Sequence, residues 1–442
     1  MTFSELGLGT PLINALNELG YNNLTPIQEK IFPVMMSGAD VCGIAQTGTG
    51  KTLAYLLPVL RQWKFTKNKN PQVLIVVPTR ELVVQVVETI KKLTVYMSLN
   101  VVGIYGGTNI NTQRIEVQKG MNVLVATPGR LFDLVMTGAV KTKEIKKFVI
   151  DEMDEMLNLG FRTQIKNISD LLPAKRQSLL FSATITEEVE AFIHIYFNSP
   201  VMVEAAPTGT PLEKIDQFAY NLSNFNTKVN LLEMLLSEDT SMNKVLIFTA
   251  TKNMADQLFE IMDMKFPGVA GVIHSNKDQN HRFNTVTQFK TGKYRFIIAT
   301  DIVARGIDVA EVSHVINFDL PVVPENYMHR IGRTGRADKD GIAISFITEK
   351  DETFKNNIEN LMNLNITILP LPTSLIISDV LTEDEKPKVF MKEIKLKTTK
   401  KEKPGPSFHE KSAKNKKINF TISRKEKMMQ KYGKPKTRGQ KK

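Results

Sequence analysis

Short apolar runs alternate with stretches of helical periodicity along most of this chain. In its first half the runs include Val41-Cys42-Gly43-Ile44, Val73-Leu74-Ile75-Val76-Val77, Val123-Leu124-Val125-Ala126, Phe148-Val149-Ile150 and Ser178-Leu179-Leu180-Phe181. Runs this short, apolar at successive positions, predict strands buried on both faces. Interleaved with helical patterns, they predict a parallel α/β sheet, with functional residues gathered at the carboxyl ends of its strands. Ala205-Ala206-Pro207-Thr208-Gly209-Thr210-Pro211 breaks the periodicity and reads as a linker. A second alternation follows, through Val245-Leu246-Ile247-Phe248, Val269 to Ile273, Phe296-Ile297-Ile298-Ala299, Val315-Ile316-Asn317-Phe318 and Ile342-Ala343-Ile344-Ser345-Phe346. After about residue 380 the pattern is lost. The aromatics there are Phe390, Phe408, Phe420 and Tyr432 among dense lysines, a composition that cannot bury a core. The expected domains are residues 1–204, a linker at 205–212, a second α/β domain at 213–370, and a largely disordered basic tail at 371–442.

Composition changes this picture in two ways. The 442 residues are 42% hydrophobic, enough for real cores, and include one cysteine, Cys42. A lone cysteine excludes an internal disulfide framework or a cysteine-based zinc site and fits a reducing compartment. No signal peptide and no run of transmembrane length is visible, so a cytoplasmic protein is expected. The net charge of +12 is unevenly placed. Residues 386–442 hold 21 Lys+Arg against 4 Asp+Glu, a balance of +17, which leaves −5 on the preceding 385 residues. A strongly basic tail on a mildly acidic body points to an anionic polymer partner.

The candidate chemistry centres on Ala45-Gln46-Thr47-Gly48-Thr49-Gly50-Lys51-Thr52, which follows the first predicted strand and precedes a helical pattern. Strand, glycine-rich loop, Lys-Thr and helix form the layout of a phosphate-binding P-loop. Gly48 and Gly50 let the backbone curl so that several N–H groups face one phosphate, and the helix N-terminus adds partial positive charge. Lys51 can reach the β- and γ-phosphates of ATP, and Thr52 can ligate Mg²⁺. Ala45 stands where the generic pattern has glycine. A carboxylate at a neighbouring strand end is needed for the metal, and Asp151-Glu152-Met153-Asp154 follows the run Lys147-Phe148-Val149-Ile150. Asp151 fits the metal role, through water. Glu152 fits the residue that orients or deprotonates the attacking water. The second alternation has no Gly-Lys-Thr loop, so one ATP is expected in a cleft that the second domain completes.

With these residues in order, the chain resembles a DEAD-box ATP-dependent RNA helicase of superfamily 2, from Phe3 to about residue 370. The resemblance implies two RecA-like domains. Gly20 to Gln28 resembles the Q motif, with Leu24 in place of the usual proline; Gln28 would read the adenine edge, Tyr21 would stack on it, and Phe3 matches the isolated upstream aromatic. Pro78-Thr79-Arg80-Glu81-Leu82, Gly106-Gly107 and Thr127-Pro128-Gly129-Arg130 resemble RNA-backbone motifs, with Pro78, Arg80, Gly106, Gly107, Thr127 and Arg130 as contacts. Ser182-Ala183-Thr184 resembles the motif that links hydrolysis to strand separation, and its hydroxyls can bond the Asp151–Asp154 loop. Gln279-Asn280-His281-Arg282 resembles a further RNA motif, with Arg282 as its contact, although His274-Ser275-Asn276 departs from the usual His-Gly-Asp. In Ala299 to Asp308, Thr300 would face RNA, Arg305 would support the interdomain network and Asp308 would face the ribose. In His329-Arg330-Ile331-Gly332-Arg333-Thr334-Gly335-Arg336, Arg333 and Arg336 would be arginine fingers, with His329, like Asp154, coupling the two domains. Met153 replaces the alanine that names the family.

The resemblance implies an RNA-dependent ATPase that opens short RNA duplexes locally, with low sequence specificity. It would work as a monomer among ribonucleoprotein partners. An ATP-gated RNA clamp with little unwinding uses the same motifs, whereas the motif forms disfavour a DNA helicase.

Overall fold

A computed structural model describes residues 1–45, 49–204, 215–301, 312–335, 341–383, 385–386 and 423–433. The sequence alternation becomes two all-parallel sheets. The first holds β1 (Val41–Ile44), β2 (Val73–Val76), β3 (Val101–Ile104), β4 (Val123–Ala126), β5 (Lys147–Ile150), β6 (Gln177–Ser182) and β7 (Val201–Glu204). The second holds β8 (Ile215–Asn221), β9 (Val245–Phe248), β10 (Ala270–Ile273), β11 (Phe296–Ala299), β12 (His314–Asn317), β13 (Gly341–Ile347) and β14 (Thr367–Ile368).

Two-sided burial explains why the strands read as unbroken apolar runs. In the first sheet Val73, Ile75, Val125, Val149 and Phe181 enter one core. The alternate residues Leu74, Val76, Leu124, Ile150 and Leu180 enter another on the opposite face. The second sheet divides likewise, with Val245, Ile247 and Ile298 in one core and Leu246, Phe248 and Ile297 in another. Side-chain direction alternates along a strand, so both halves of each run must be apolar.

The strand orders are β3-β4-β2-β5-β6-β1-β7 and β10-β11-β9-β12-β13-β8-β14. The second order is the first advanced by seven, so each strand has a counterpart. β8 corresponds to β1, and the helix Phe225–Glu238 corresponds to Lys51–Arg61. The loop before Phe225–Glu238 has no glycines to cradle a phosphate. There the Asn224 side chain accepts from Thr227 N at 2.9 Å and caps the helix. The two sheets thus share a topology, and of these two corresponding loops the one before Lys51–Arg61 has the glycine-rich Gly48-Thr49-Gly50-Lys51-Thr52 sequence.

The chain past β14 differs from expectation. The tail was placed from residue 371, yet the compact unit runs from Met1 to Lys386. Residues 372–383 lie along the helix Phe225–Glu238, whose asparagine side chains bind their backbone. Asn230 and Asn226 donate to the carbonyls of Ile376 and Val380 at 2.8 and 2.7 Å, and Asn224 donates to Ser378. The Glu385 carboxylate accepts from Phe225 N at 2.6 Å. Further on, Arg424–Tyr432 forms a helix started by a capping box between Ser423 and Glu426. The expected linker at 205–212 lies outside the described residues.

Candidate nucleotide and RNA site

The strands β5, β6 and β1 are neighbours in the first sheet, and their carboxyl ends lie side by side. Gly50 begins the helix Lys51–Arg61 with φ +90°, where a Cβ would lie 2.5 Å from Gln28 Nε2. A side chain is therefore excluded both by backbone conformation and by space. Gln28 holds this turn from outside. Its Oε1 accepts from Thr25 N at 3.0 Å, closing a capping box, and its Nε2 donates to Gly50 O at 3.1 Å. Lys51 is buried, and its Nζ has no hydrogen-bond partner. A buried ammonium with no acceptor for its N–H groups is unfavourable, so its three free donors, with the helix N-terminus beside them, fit a polyphosphate. Ala45 is buried at the end of β1, while Thr49 and Thr52 are half-buried. Gln46, Thr47 and Gly48 lie outside the described residues.

Asp151 follows β5 directly and is buried. Burial raises its carboxyl, partly opposed by the Lys51 charge. Glu152 is raised for the same first reason, with Lys51 opposing and Asp151 adding. Arg333, from the second lobe, lies near enough to Glu152 to act on that balance. Glu152 has φ +55°, a left-handed conformation that costs a non-glycine residue energy. That turn starts the short helix Met153–Asn158, and the Met153 side chain is fully buried in the core beside β5 and β6.

Asp154 joins three motifs. Its Oδ2 accepts from Ala183 N at 3.1 Å, Thr184 N at 3.0 Å and Thr184 Oγ1 at 3.1 Å. Its own N–H donates to Ser182 Oγ at 3.2 Å. Burial alone would raise this carboxyl, but His329, Lys51 and the Ser182 hydroxyl together hold it below the ordinary value. His329 and Arg333 thus act electrostatically on the first lobe's acids from one short segment of the second.

The expected RNA residues divide. Thr300 is buried at the end of β11 and lines a cavity of about 640 Å³ between the lobes, with Asn158 and Leu159 from one side and Thr251, Lys252 and Asn253 from the other. Arg130 is also tied into the protein. It is buried, with Nη1 donating to Gln113 Oε1 at 2.6 Å and Nη2 to Thr108 O at 2.8 Å. Two of its N–H groups thereby brace the segment just past the Gly106-Gly107 turn. Arg80 also donates to Gly106 O and stacks 5.2 Å over Tyr105. Gly107, at φ +75°, leaves the space that Arg80 fills. Pro78 and Thr127 are buried at the strand ends. Arg282 faces Glu81 across the lobes at 3.3 Å, beside Gln279, which donates to Glu81 at 3.1 Å. Phe3 is buried in the first core together with Leu8, Leu12 and Leu16. Tyr21 is exposed. Arg305, Asp308 and Arg336 lie outside the described residues.

Two residues escaped the sequence reading. Arg330, fully buried, grips Asp301 with two bonds of 2.6 and 2.9 Å and also donates to Asn317 Oδ1 and Asp319 O. It fixes the residue after Thr300 to the segment bearing His329 and Arg333. Tyr55 is fully buried, one turn past Thr52 on its helix, and its hydroxyl lies beside Asp151. An arginine inside an arginine-rich motif and a tyrosine inside a core helix carry no distinguishing sequence signal.

Family models match in the same places: "DEAD/DEAH box helicase" over residues 25–192 and "Helicase conserved C-terminal domain" over 227–338. The ATP-dependent RNA helicase CshA of Listeria monocytogenes is 38% identical over 371 residues, spanning 84% of this chain and 71% of that protein. The chain belongs to the DEAD-box family of ATP-dependent RNA helicases. The DEAD-box helicase CshA of Geobacillus kaustophilus is 36% identical over 375 residues, covering 84% of this chain and 79% of that one. Among DEAD-box structures, Saccharomyces cerevisiae Dbp5 bound to RNA and ADP BeF3 superposes with TM-score 0.76 at 28% identity, over 84% of this chain and 95% of that chain. Mss116p bound to single-stranded RNA and AMP-PNP gives TM-score 0.77 at 28% identity, over 84% and 80%.

Proposed function

We propose that this helicase binds ATP with Mg²⁺ at the end of β1, grips RNA across both lobes, and couples closure of the lobes to hydrolysis and local opening of short duplexes. The observation that carries the reading is that Arg333 bears electrostatically on Glu152, and His329 on Asp154, beside the buried Lys51, whose Nζ has no hydrogen-bond partner. Groups from two lobes face one buried anionic position, so hydrolysis would wait on closure.

ATP is the substrate. Lys51, the turn at Gly50 and the helix N-terminus would hold its phosphates. Asp151 and Thr52 offer the hard oxygen donors that suit Mg²⁺, which when bound would neutralise charge on the phosphates. Glu152 would orient the attacking water and accept its proton, its raised carboxyl being better matched to that task than an ordinary one. Arg333 would stabilise charge developing on the terminal phosphate, with Arg336 as its companion. Asp154 would pass the state of this site to Ser182 and Thr184. RNA would lie across the cavity at Thr300, its grip depending on phosphate and 2′-hydroxyl contacts rather than base identity. A cytoplasmic monomer acting on ribonucleoprotein fits the lone buried Cys42 and the helicase relatives. Among the described residues no helix is long and apolar enough to cross a membrane.

The test is turnover on a short tailed RNA duplex by wild type, Lys51→Ala and Glu152→Gln. Both variants should lose ATP hydrolysis, while Glu152→Gln should keep ATP and RNA binding. Normal hydrolysis by Glu152→Gln would remove Glu152 from its role. RNA-stimulated hydrolysis without strand displacement would favour the clamp.

A further inference from the structure

The helix that follows the phosphate loop buries Tyr55 completely, and its ring packs 5.2 Å from Phe181 on β6. Packing alone would be served by a phenyl ring. The hydroxyl is the part that needs explaining. Phe181 lies one step past Leu180, which pairs with Ile150, so the ring that Tyr55 packs on is level with Asp151 on the neighbouring strand, and Thr52 lies one turn before Tyr55 on its own helix. Within this setting, beside the two groups assigned above to Mg²⁺, the hydroxyl has no hydrogen-bond partner. Buried hydroxyls are almost always paired, and one left unpaired is unfavourable. Of the two neighbouring side chains, the Asp151 carboxylate is the stronger acceptor.

We propose that Tyr55 is a positioning residue for the metal: its hydroxyl donates to one oxygen of Asp151 and leaves the other turned toward the Thr52 hydroxyl and the phosphates. The proposal rests on the assignment of Asp151 as the metal carboxylate. The backbone supports the same arrangement from the other side, since Glu152 N donates to Asp151 Oδ1 at 3.0 Å. A carboxylate held by one N–H and one O–H has little rotational freedom, so the metal need not order it on arrival. Outer groups that fix a metal-binding carboxylate in this way commonly change metal affinity about 10- to 100-fold when removed. Tyr55 touches neither phosphate nor RNA in this scheme and acts only through Asp151.

Tyr55→Phe removes the hydroxyl and keeps the ring against Phe181. The experiment titrates Mg²⁺ against binding of a methylanthraniloyl-labelled ATP to the full chain, with Tm and steady-state kcat and KM measured alongside. The expected result is a rise of roughly 10-fold in the Mg²⁺ concentration for half-maximal binding, with Tm and metal-free nucleotide binding unchanged. In the hydrolysis assay kcat at fixed low Mg²⁺ should fall, and excess Mg²⁺ should restore it. An unchanged Mg²⁺ half-point overturns the proposal. So does a lowered Tm with metal-free binding equally weakened, because that marks a packing role. Asp151→Asn separates the two levels of the argument. If it leaves the Mg²⁺ dependence intact, the metal assignment itself fails. If it raises the half-point, and Tyr55→Phe adds nothing in that background, Tyr55 acts through Asp151.

Discussion

A single amide, Gln28, illustrates how a residue can serve structure and ligand together. Both ends of it are engaged by the protein, at Thr25 N and Gly50 O. Removing it should therefore disturb the phosphate loop as well as any reading of adenine. Gln28→Ala should weaken ATP and GTP alike by about 10-fold, the value of one good hydrogen bond to a shaped site, with a further loss confined to ATP. Titrations with both labelled nucleotides check this. A loss for ATP alone would mean that the Gly50 contact contributes nothing. Lys147 makes a residue-scale case in stability. Partial burial pushes its ammonium down to about 8 from the usual 10.5, even though Nζ donates to Gln177 Oε1 at 2.6 Å. Between pH 10.5 and about 8 the unfolded chain takes up this proton and the folded chain does not, so stability falls as pH falls through that window and is level below it. The shift is worth about 3 kcal/mol at face value and about 1–2 kcal/mol after allowing for solvent contact and the hydrogen bond. Lys147→Met should raise Tm at pH 7, and the gain should shrink toward pH 10. Equal gains at both pH values would refute it.

At the scale of elements, the backbone-held segment 372–383 and Glu385 beyond it have a direct test. Glu385 places a carboxylate on the N-terminus of the helix Phe225–Glu238, where charge and the free N–H groups both favour it. Glu385→Gln should cost about 1 kcal/mol, within the range for losing a charged cap, seen as a lower Tm of the second lobe while the first is unaffected. A chain ending at residue 371 should lose more than that, because the asparagine contacts go too. If ending at 371 leaves Tm unchanged, the segment adds no stability. This segment was not legible in the sequence. Its side chains Ile376, Ile377 and Val380 are exposed, and neighbouring asparagines hold only its backbone, so no periodicity marks it. The strands were legible for the opposite reason: both faces are buried, and every position must be apolar. The acids at Asp151 to Asp154 were legible because a strand end fixes where they stand. The bonds of Arg130 to Gln113 and Thr108 were not, since an arginine after a strand gives no sign of which neighbours its fork will meet.

For the whole molecule the governing quantity is the separation of charge. The compact unit ends at Lys386, and the basic residues beyond it belong to a separate unit. Every group assigned to ATP or to coupling lies before that point, so a chain ending at Lys386 should keep its kcat at saturating RNA. Its affinity should change. Each lysine that meets a phosphate releases condensed counterions, which steepens the fall of log K with log salt by roughly 0.7 per contact on single strands. A polycation joined to the catalytic body also raises the local concentration of RNA at the cleft. Because the body itself is slightly acidic, it offers little long-range attraction to replace what the tail supplies. Deleting residues 387–442 should therefore raise the RNA concentration for half-maximal ATP hydrolysis and flatten its dependence on salt. The check is an RNA titration of ATP hydrolysis at two salt concentrations, with the full chain beside the shortened one. Equal half-points and equal slopes would remove the tail from RNA capture. A fall in kcat with both unchanged would instead mean that the tail acts on the catalytic unit itself.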